Sequence, residues 1–275
     1  MRAVEPEHRP DFDAAVARAA RVYNFWLDGR DHFAADREAA VRVIERRPQV
    51  VAAARANRLF LGRVVRHCVQ RHGVTQFLDI GAGLPAPDNT HVLAQRIDPR
   101  SRIVYVDHDP VVTSHAQALL ASTEEGSCDY VRADLRDPEY ILREAARTLD
   151  VTQPVAVLLL AALHFVPDGD DPAGLAAALM HDLAPGSLIA ISHLTADFAP
   201  EAVGGGVEAY NELVPTPVFA RSHAEVTGLF AGLPMIAPGV VPISEWRPDM
   251  IVRQVVDLYG GMARRAPRCW RPPCP

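Results

Sequence analysis

Three carboxylates, each at or just past the end of an apolar run, are the residues of this chain best placed to do chemistry. Asp79 lies in Gln76-Phe-Leu-Asp-Ile80, Asp107 closes Arg102-Ile-Val-Tyr-Val-Asp107, and Asp134 follows Tyr130-Val-Arg-Ala133. Short apolar runs of this kind are what buried parallel strands look like, and ligands of open α/β sheets bind beyond the carboxyl ends of such strands. The three acids are therefore expected to converge on one crevice. A crevice lined by acids disfavours phosphate and favours a cationic ligand rich in hydroxyls. S-adenosylmethionine (SAM) fits, because it carries an ammonium, a sulfonium and two ribose hydroxyls. The expected chemistry is methyl transfer.

The glycines beside Asp79 allow a rival. Gly81-Ala82-Gly83-Leu84-Pro85-Ala86 formally satisfies G-x-G-x-x-G/A, the dinucleotide pattern of NAD(P)-dependent oxidoreductases. Pro85 and Pro87 push the residues before them out of the helical region and delay the next helix to about Asp88 or Asn89, which removes the glycine-to-helix cradle that a pyrophosphate needs. Asp79 also opposes it: a carboxylate about 4 Å from a phosphate costs roughly 4 kcal/mol at an effective dielectric of about 20. Asp107, 24 residues past Gly83, is placed to accept hydrogen bonds from ribose hydroxyls. The other task open to it, capping the helix that starts near Pro110, suits Asp109 better. Asp134 with Leu135 is placed to read an adenine edge, or else caps Arg136-Asp-Pro138. Ala82, His108 and Ala161 complete the expected cofactor set.

Methyl transfer from a sulfonium releases a neutral leaving group, so it mainly needs alignment and, for an oxygen or nitrogen acceptor, a base. His164, after the apolar run Val155–Leu163, is the candidate base; a structural histidine is the alternative. His193, ending the next strand, is a second candidate on the substrate side. The cluster Tyr23, Asn24, Trp26, Asp28, Arg30, Asp31, His32 and Phe33 mixes aromatic and polar groups as a lid does. Asp36-Arg37, Arg55 and Asn57 are expected to hold it in place. Arg221-Ser-His223 and Trp246-Arg247 are later acceptor-side candidates. No H-x-x-x-H or H-E-x-x-H spacing occurs, so no metal is expected.

These residues need a doubly wound α/β sheet to position them. From 75 to 193 strands near 75–80, 102–107, 129–133, 154–160 and 187–193 alternate with helices near 89–97, 111–122, 138–147 and 172–183. Helical signals also fill 11–73: Asp11 or Asp13 to about Leu27, Asp36 to about Arg46, and Pro48 to about Arg71. Helices over 200–213 and 222–230 and strands over 234–242 and 251–258 complete the pattern, with Gly204-Gly-Gly206 as a local breaker. The expected domains are a helical lid over 1–73, a cofactor-binding domain over 74–260 and a tail over 261–275.

The chain has 275 residues, is 49% hydrophobic and carries a net charge of −6, enough for a full core and without the basic footprint of a nucleic-acid binder. With no run of about eighteen apolar residues and no apolar leader, no membrane partner is expected and a cytoplasmic location is. All 28 basic residues are arginine, so no lysine nucleophile is available. Cys68, Cys128, Cys269 and Cys274 lack C-x-x-C spacing and read as reduced thiols, with a labile Cys269–Cys274 disulfide as the alternative.

The motifs Ala20-Arg-Val-Tyr-Asn-Phe-Trp-Leu-Asp-Gly-Arg-Asp-His-Phe-Ala-Ala-Asp-Arg37, Ala54-Arg-Ala-Asn57, Phe77-Leu-Asp-Ile-Gly-Ala-Gly-Leu-Pro85, Val104-Tyr-Val-Asp-His-Asp-Pro110, Ala133-Asp-Leu-Arg-Asp-Pro138, Leu163-His-Phe-Val-Pro-Asp168 and Ser192-His193 together resemble the bacterial S-adenosyl methyltransferase family, long called a domain of unknown function. The resemblance spans roughly 20–260. It implies the class I methyltransferase fold, a Rossmann-like α/β domain with a seven-stranded, mostly parallel sheet and helices on both faces, and SAM as cofactor; it implies no particular acceptor. The fourth-strand segment Ala161-Ala-Leu-His-Phe165 lacks the Asp/Asn-Pro-Pro-aromatic of nucleobase-amino methyltransferases and the Pro-Cys of cytosine C5 enzymes, so a small-molecule acceptor is expected. The oligomeric state is not indicated. A SAM-binding regulator without turnover is the non-enzymatic alternative.

Overall fold

In the computed structural model, residues 13–113, 122–249 and 255–266 are described. Seven strands, β1 (Gln76–Ile80), β2 (Arg102–Asp107), β3 (Ser127–Arg132), β4 (Ala156–Leu160), β5 (Leu188–Leu194), β6 (Met235–Pro242) and β7 (Leu258–Arg264), form one sheet in the order β3-β2-β1-β4-β5-β7-β6. β1 pairs in parallel with β2 and β4, whereas β7 is antiparallel to both β5 and β6. The fold is the seven-stranded, mostly parallel Rossmann-like sheet expected. Strand order reverses between β1 and β4, where an α/β sheet opens a ligand crevice.

β1 and β5 are buried along their whole length and β4 as far as Leu159, because both faces are covered. Phe77, Leu158 and Ala190 pack into one core layer and Leu78, Ile80, Val157 and Leu159 into the other. β3 is an edge strand with only Val131 fully buried; its segment is therefore more polar than the run of a covered strand.

Three helices precede the sheet: α1 (Ala19–Trp26), α2 (Ala34–Arg46) and α3 (Val50–His72). α3 buries Ala53, Ala54, Asn57, Phe60, Leu61, Val64 and Cys68, an i, i+3, i+4 stripe, and ends on Gly73 at φ 65°. Asp36 sits in the first turn of α2, where its carboxylate accepts from the Phe33 and Arg18 amides at 2.8 and 2.9 Å and pairs with Arg21 at 3.2 Å. It ties α1 to α2 as foreseen, although the cap position belongs to Phe33. α4 (Thr90–Gln95) has Asn89 as its cap, the delay that the two prolines impose. Asp109 accepts from the Val111 amide at 2.8 Å where the next helical turn begins. The expected extent of that helix to 122 falls mostly outside the described residues, as do Asp11, Cys269 and Cys274. α5 (Pro138–Ala145) is capped by Asp137, so capping this helix is not a task of Asp134. α6 (Pro172–His181), α7 (Pro200–Leu213) and α8 (His223–Gly228) complete the set. Cys68 and Cys128 are free thiols.

Two expectations are corrected. The last strand is Leu258–Arg264 and not 251–258, so the sheet extends past 260. Its Gly260 and Gly261 depress β propensity, yet a Cβ on Gly260 would lie 2.6 Å from Ile243 and 2.9 Å from the Phe60 ring of α3, and one on Gly261 3.1 Å from the Gly239 carbonyl oxygen; the glycines answer close approaches to the strand. The second concerns Gly204-Gly-Gly206, which lies within the continuous helix α7. There a Cβ on Gly206 would come within 2.8 Å of Arg47 Cβ, whereas one on Gly204 would meet nothing, so Gly206 lets α7 dock on the end of α2.

Candidate functional site

A cavity of about 940 Å³ opens at the carboxyl ends of β1, β2 and β4, near the top of the roughly 300–1,000 Å³ range of small-molecule sites. Asp79, Gly81, Ala82, Gly83, Asp107, His108, Asp134, Leu135, Ala161 and His164 all line it, as do Tyr23, Asn24 and Trp26 from α1. His193 does not.

Each acid has a distinct environment. Asp79 is 8% exposed and accepts from the Thr90 hydroxyl at 2.6 Å. Burial pushes its carboxyl up to about 6, against the Thr90 bond and the nearby Arg58. Asp107 accepts from the Gly83 amide at 2.9 Å and the Asp109 amide at 3.0 Å, so it also ties the glycine loop to β2. Burial raises its proton affinity and the two amides oppose that rise. Asp134 is half-exposed, accepts from the Arg136 amide at 2.9 Å and pairs with the Arg136 guanidinium at 3.2 Å; part of its bonding capacity is therefore spent on its own turn.

The glycine loop fits a ligand pressed against backbone. Gly81 and Gly83 have φ of 75° and 66°, a region glycine enters freely. A Cβ on Gly83 would meet no protein atom within 4 Å, so the space beside it belongs to the cavity. α4 starts seven residues beyond Gly83, so its amide terminus does not abut the loop as a pyrophosphate site requires.

His164 sits in a 3₁₀ turn (Leu163–Phe165) just past β4, is 8% exposed, and its Nδ1 is buried with no hydrogen-bond partner. Burial, then His193, Arg47 and Arg221, hold its proton affinity well below that of a free histidine. His193 lies beneath, fully buried. Arg221 Nη1 donates to its Nε2 at 2.8 Å, which leaves the proton on Nδ1 to be donated to the Leu194 carbonyl at 2.8 Å. With both nitrogens engaged it is a support, not the substrate contact expected. Arg221 also donates to the carbonyls of Leu163 and Val166 and to Asp168; it rivets the His164 loop instead of facing the acceptor. Trp246 is likewise no acceptor contact: it is buried edge-on against Phe60.

The roof is pinned by a chain of bonds. The Ala54 carbonyl accepts from Tyr23 OH at 3.1 Å, Asn57 Nδ2 donates to Tyr23 OH at 3.2 Å, Ser192 Oγ donates to Asn57 Oδ1 at 2.6 Å, and Ser192 Oγ accepts from the Ala161 amide at 2.9 Å. This chain links α1, α3, β5 and the turn after β4, where Ala161 takes φ 55°. Trp26 Nε1 donates to the Ala40 carbonyl at 3.3 Å, Asn24 accepts from the Asp31 amide at 3.0 Å, and Arg55 pairs with Asp28.

Sequence reasoning missed three wall residues. Arg58, from α3, is bonded to Asp88 and stands near Asp79; Arg47 ends α2; Tyr210 comes from α7. Arginines in helices that also cover the core carry no local sign of facing a cavity.

The S-adenosyl methyltransferase family profile matches residues 5–266. The chain belongs to that family. SAM is accordingly its cofactor, and the open space at Gly83 among acids fits that molecule. The crystal structure of a DUF574 family protein from Streptomyces avermitilis is 41% identical, with a TM-score of 0.88 over 92% of this chain and 99% of that one. A putative methyltransferase from Thermobifida fusca is 34% identical, with a TM-score of 0.85 over 96% and 100%. The mitomycin 7-O-methyltransferase MmcR, 18% identical with a TM-score of 0.52 over 78% of this chain and 56% of that one, shares the fold. No curated protein matches. Among the described residues no helix is long and apolar enough to cross a membrane.

Proposed function

We propose that this S-adenosyl methyltransferase methylates a small molecule inside the cavity, with His164 accepting the proton. The observation that carries this reading is the cavity of about 940 Å³, lined by the acids and glycines of β1 and β2 together with His164, whose buried Nδ1 has no hydrogen-bond partner. A roof pinned by Tyr23 and Asn57 favours an enclosed acceptor over a polymer.

In this reading Asp107 holds the ribose hydroxyls, Asp79 the ammonium, and Asp134 and Leu135 flank the adenine. Gly81, Ala82 and Gly83 give backbone room along the methionine portion, with His108 and Ala161 in the surrounding wall, while Tyr23, Asn24 and Trp26 exclude water from above. When bound, SAM supplies an electrophilic methyl group whose sulfur leaves as a neutral thioether, so no acid is needed for the leaving group. His164 takes the proton lost by the acceptor. Its lowered proton affinity keeps it unprotonated, and so competent, below the usual histidine range.

Incubating the protein with methyl-labelled SAM and the low-molecular-mass fraction of a cell extract tests this. Label should pass into a small molecule with matching release of S-adenosylhomocysteine. Label confined to macromolecules, or SAM binding without transfer, contradicts it.

A further inference from the structure

The cavity wall holds polar atoms that the cofactor roles leave without a task. Arg47 is 7% exposed; its Nε donates to Asp257 Oδ2 at 3.1 Å, yet its Nη2 is buried and unpaired. Tyr210, 5% exposed, has a buried hydroxyl with no partner. Both residues line the cavity alongside His164. Buried donors without partners are uncommon and cost about 1–3 kcal/mol each, so their gathering in one wall marks a place where a ligand supplies the partners.

α7 builds this wall. Gly206 removes the side chain that would strike Arg47, and Tyr210, one turn further along, shares its face of the helix. The surroundings are apolar: Val207 and Val218 line the same region, and the Phe165 ring lies 6.2 Å from that of Tyr210. Asp257, 4% exposed, already neutralises Arg47. An entering carboxylate would leave this wall with an unbalanced buried charge, whereas a neutral carbonyl oxygen accepts from Nη2 and the phenol without disturbing the balance.

We propose that Arg47 and Tyr210 recognise the acceptor, and that the acceptor is an apolar ring compound bearing a carbonyl oxygen beside the hydroxyl that is methylated. This rests on the cavity being a methyl-transfer site. The hydroxyl oxygen forms the new bond to the methyl carbon, the sulfur–methyl bond breaks with its electron pair staying on sulfur, and the hydroxyl proton passes to His164.

Three probes matched in size decide the class: 2′-hydroxyacetophenone, 2-ethylphenol and salicylate, each titrated by calorimetry into protein loaded with S-adenosylhomocysteine. The ketone should bind about tenfold or more tightly than either of the others, the loss expected when buried donors go unpaired. Tyr210→Phe should weaken the ketone about fivefold or more and leave 2-ethylphenol unchanged, with an unfolding midpoint no lower than wild type, because the hydroxyl has no protein partner to lose. The double variant Arg47→Met, Asp257→Leu, which leaves no buried charge unpaired, should lower the preference for the ketone about threefold or more, with Tyr210 supplying what remains. Equal affinity for ketone and alkylphenol, tighter binding of salicylate, no binding of the ketone, or a Tyr210→Phe variant that binds it normally would each overturn the proposal. Titrating S-adenosylhomocysteine into the same samples separates the two readings: if it fails to bind, the methyl-transfer reading falls; if it binds and the ketone shows no preference, only this inference does.

Discussion

Asp79 is held in the cavity wall at a cost to the stability of the fold. Its carboxyl sits at about 6 in the folded chain, against about 3.9 when exposed. The charged form is thus disfavoured by folding, a penalty absent below about pH 4 and complete above about pH 6, worth roughly 3 kcal/mol. Asp79→Asn is therefore predicted to raise the urea midpoint of the ligand-free protein at pH 7.5, to lose that gain at pH 4, and to weaken SAM binding about tenfold or more. An unchanged midpoint with unchanged affinity would remove Asp79 from the site. At Gly83, φ 66° and the empty space beyond the backbone predict that Gly83→Val costs about 1–2 kcal/mol of stability and abolishes SAM binding in a protein that still folds; circular dichroism and titration check both. For His164, His164→Ala should cut turnover about a hundredfold while SAM affinity stays within about threefold. Because burial lowers its proton affinity, the acid limb of the wild-type rate should fall clearly below the ordinary histidine value of about 6.5; a limb at or above that value would exclude this base. The acids and glycines were legible in the sequence because each lies at or just past the carboxyl end of a strand, which fixes its address. Arg47, Arg58 and Tyr210 were not, since a helix residue's view of the cavity depends on packing that no local pattern encodes.

Among the elements, the turn after β4 depends on Arg221, which reaches it from the segment before α8. Arg221 supplies the donors for the Leu163 and Val166 carbonyls and for His193 Nε2, while its ionic partner Asp168 is 86% exposed. Its worth lies in the buried acceptors and not in the ion pair. Arg221→Met should cost about 2 kcal/mol in urea unfolding, about one each for the Val166 carbonyl and His193 Nε2 left without a donor, since the Leu163 carbonyl keeps the Val166 amide, whereas Asp168→Asn should cost less than about 1 kcal/mol. Equal costs would place the stabilisation in the ion pair. Element reading from the sequence succeeded where periodicity and caps agreed: Asn89 opening α4, Pro138 and Pro172 opening α5 and α6, and the apolar runs of β1, β2, β4 and β5. It failed where tertiary contact dictated glycine. Gly260 and Gly206 look like breakers in sequence and are contact points in the fold.

At the scale of the whole molecule, two opposed demands meet at the sheet's carboxyl edge. Residues of α1–α3 and α7 line the crevice there, yet it keeps two buried carboxylates and unpaired polar atoms that a compact core would avoid. Ligand binding relieves that conflict, so S-adenosylhomocysteine should raise the thermal midpoint, and go on raising it with the logarithm of its concentration above saturation. Overall topology was readable because alternating strands and helices admit few arrangements; the composition of the roof over the acceptor was not, because it is assembled from residues about 160 positions apart, Arg47 and Tyr210 among them. The most direct test of the central claim is calorimetric titration of SAM into the wild-type protein and Asp107→Ala side by side. SAM should bind the wild type and bind the variant about thirtyfold or more weakly, a loss of about 2 kcal/mol, as the ribose hydroxyls lose a charged acceptor and Gly83 its anchor. Equal affinity in a folded variant would show that the acids of this sheet do not hold the cofactor.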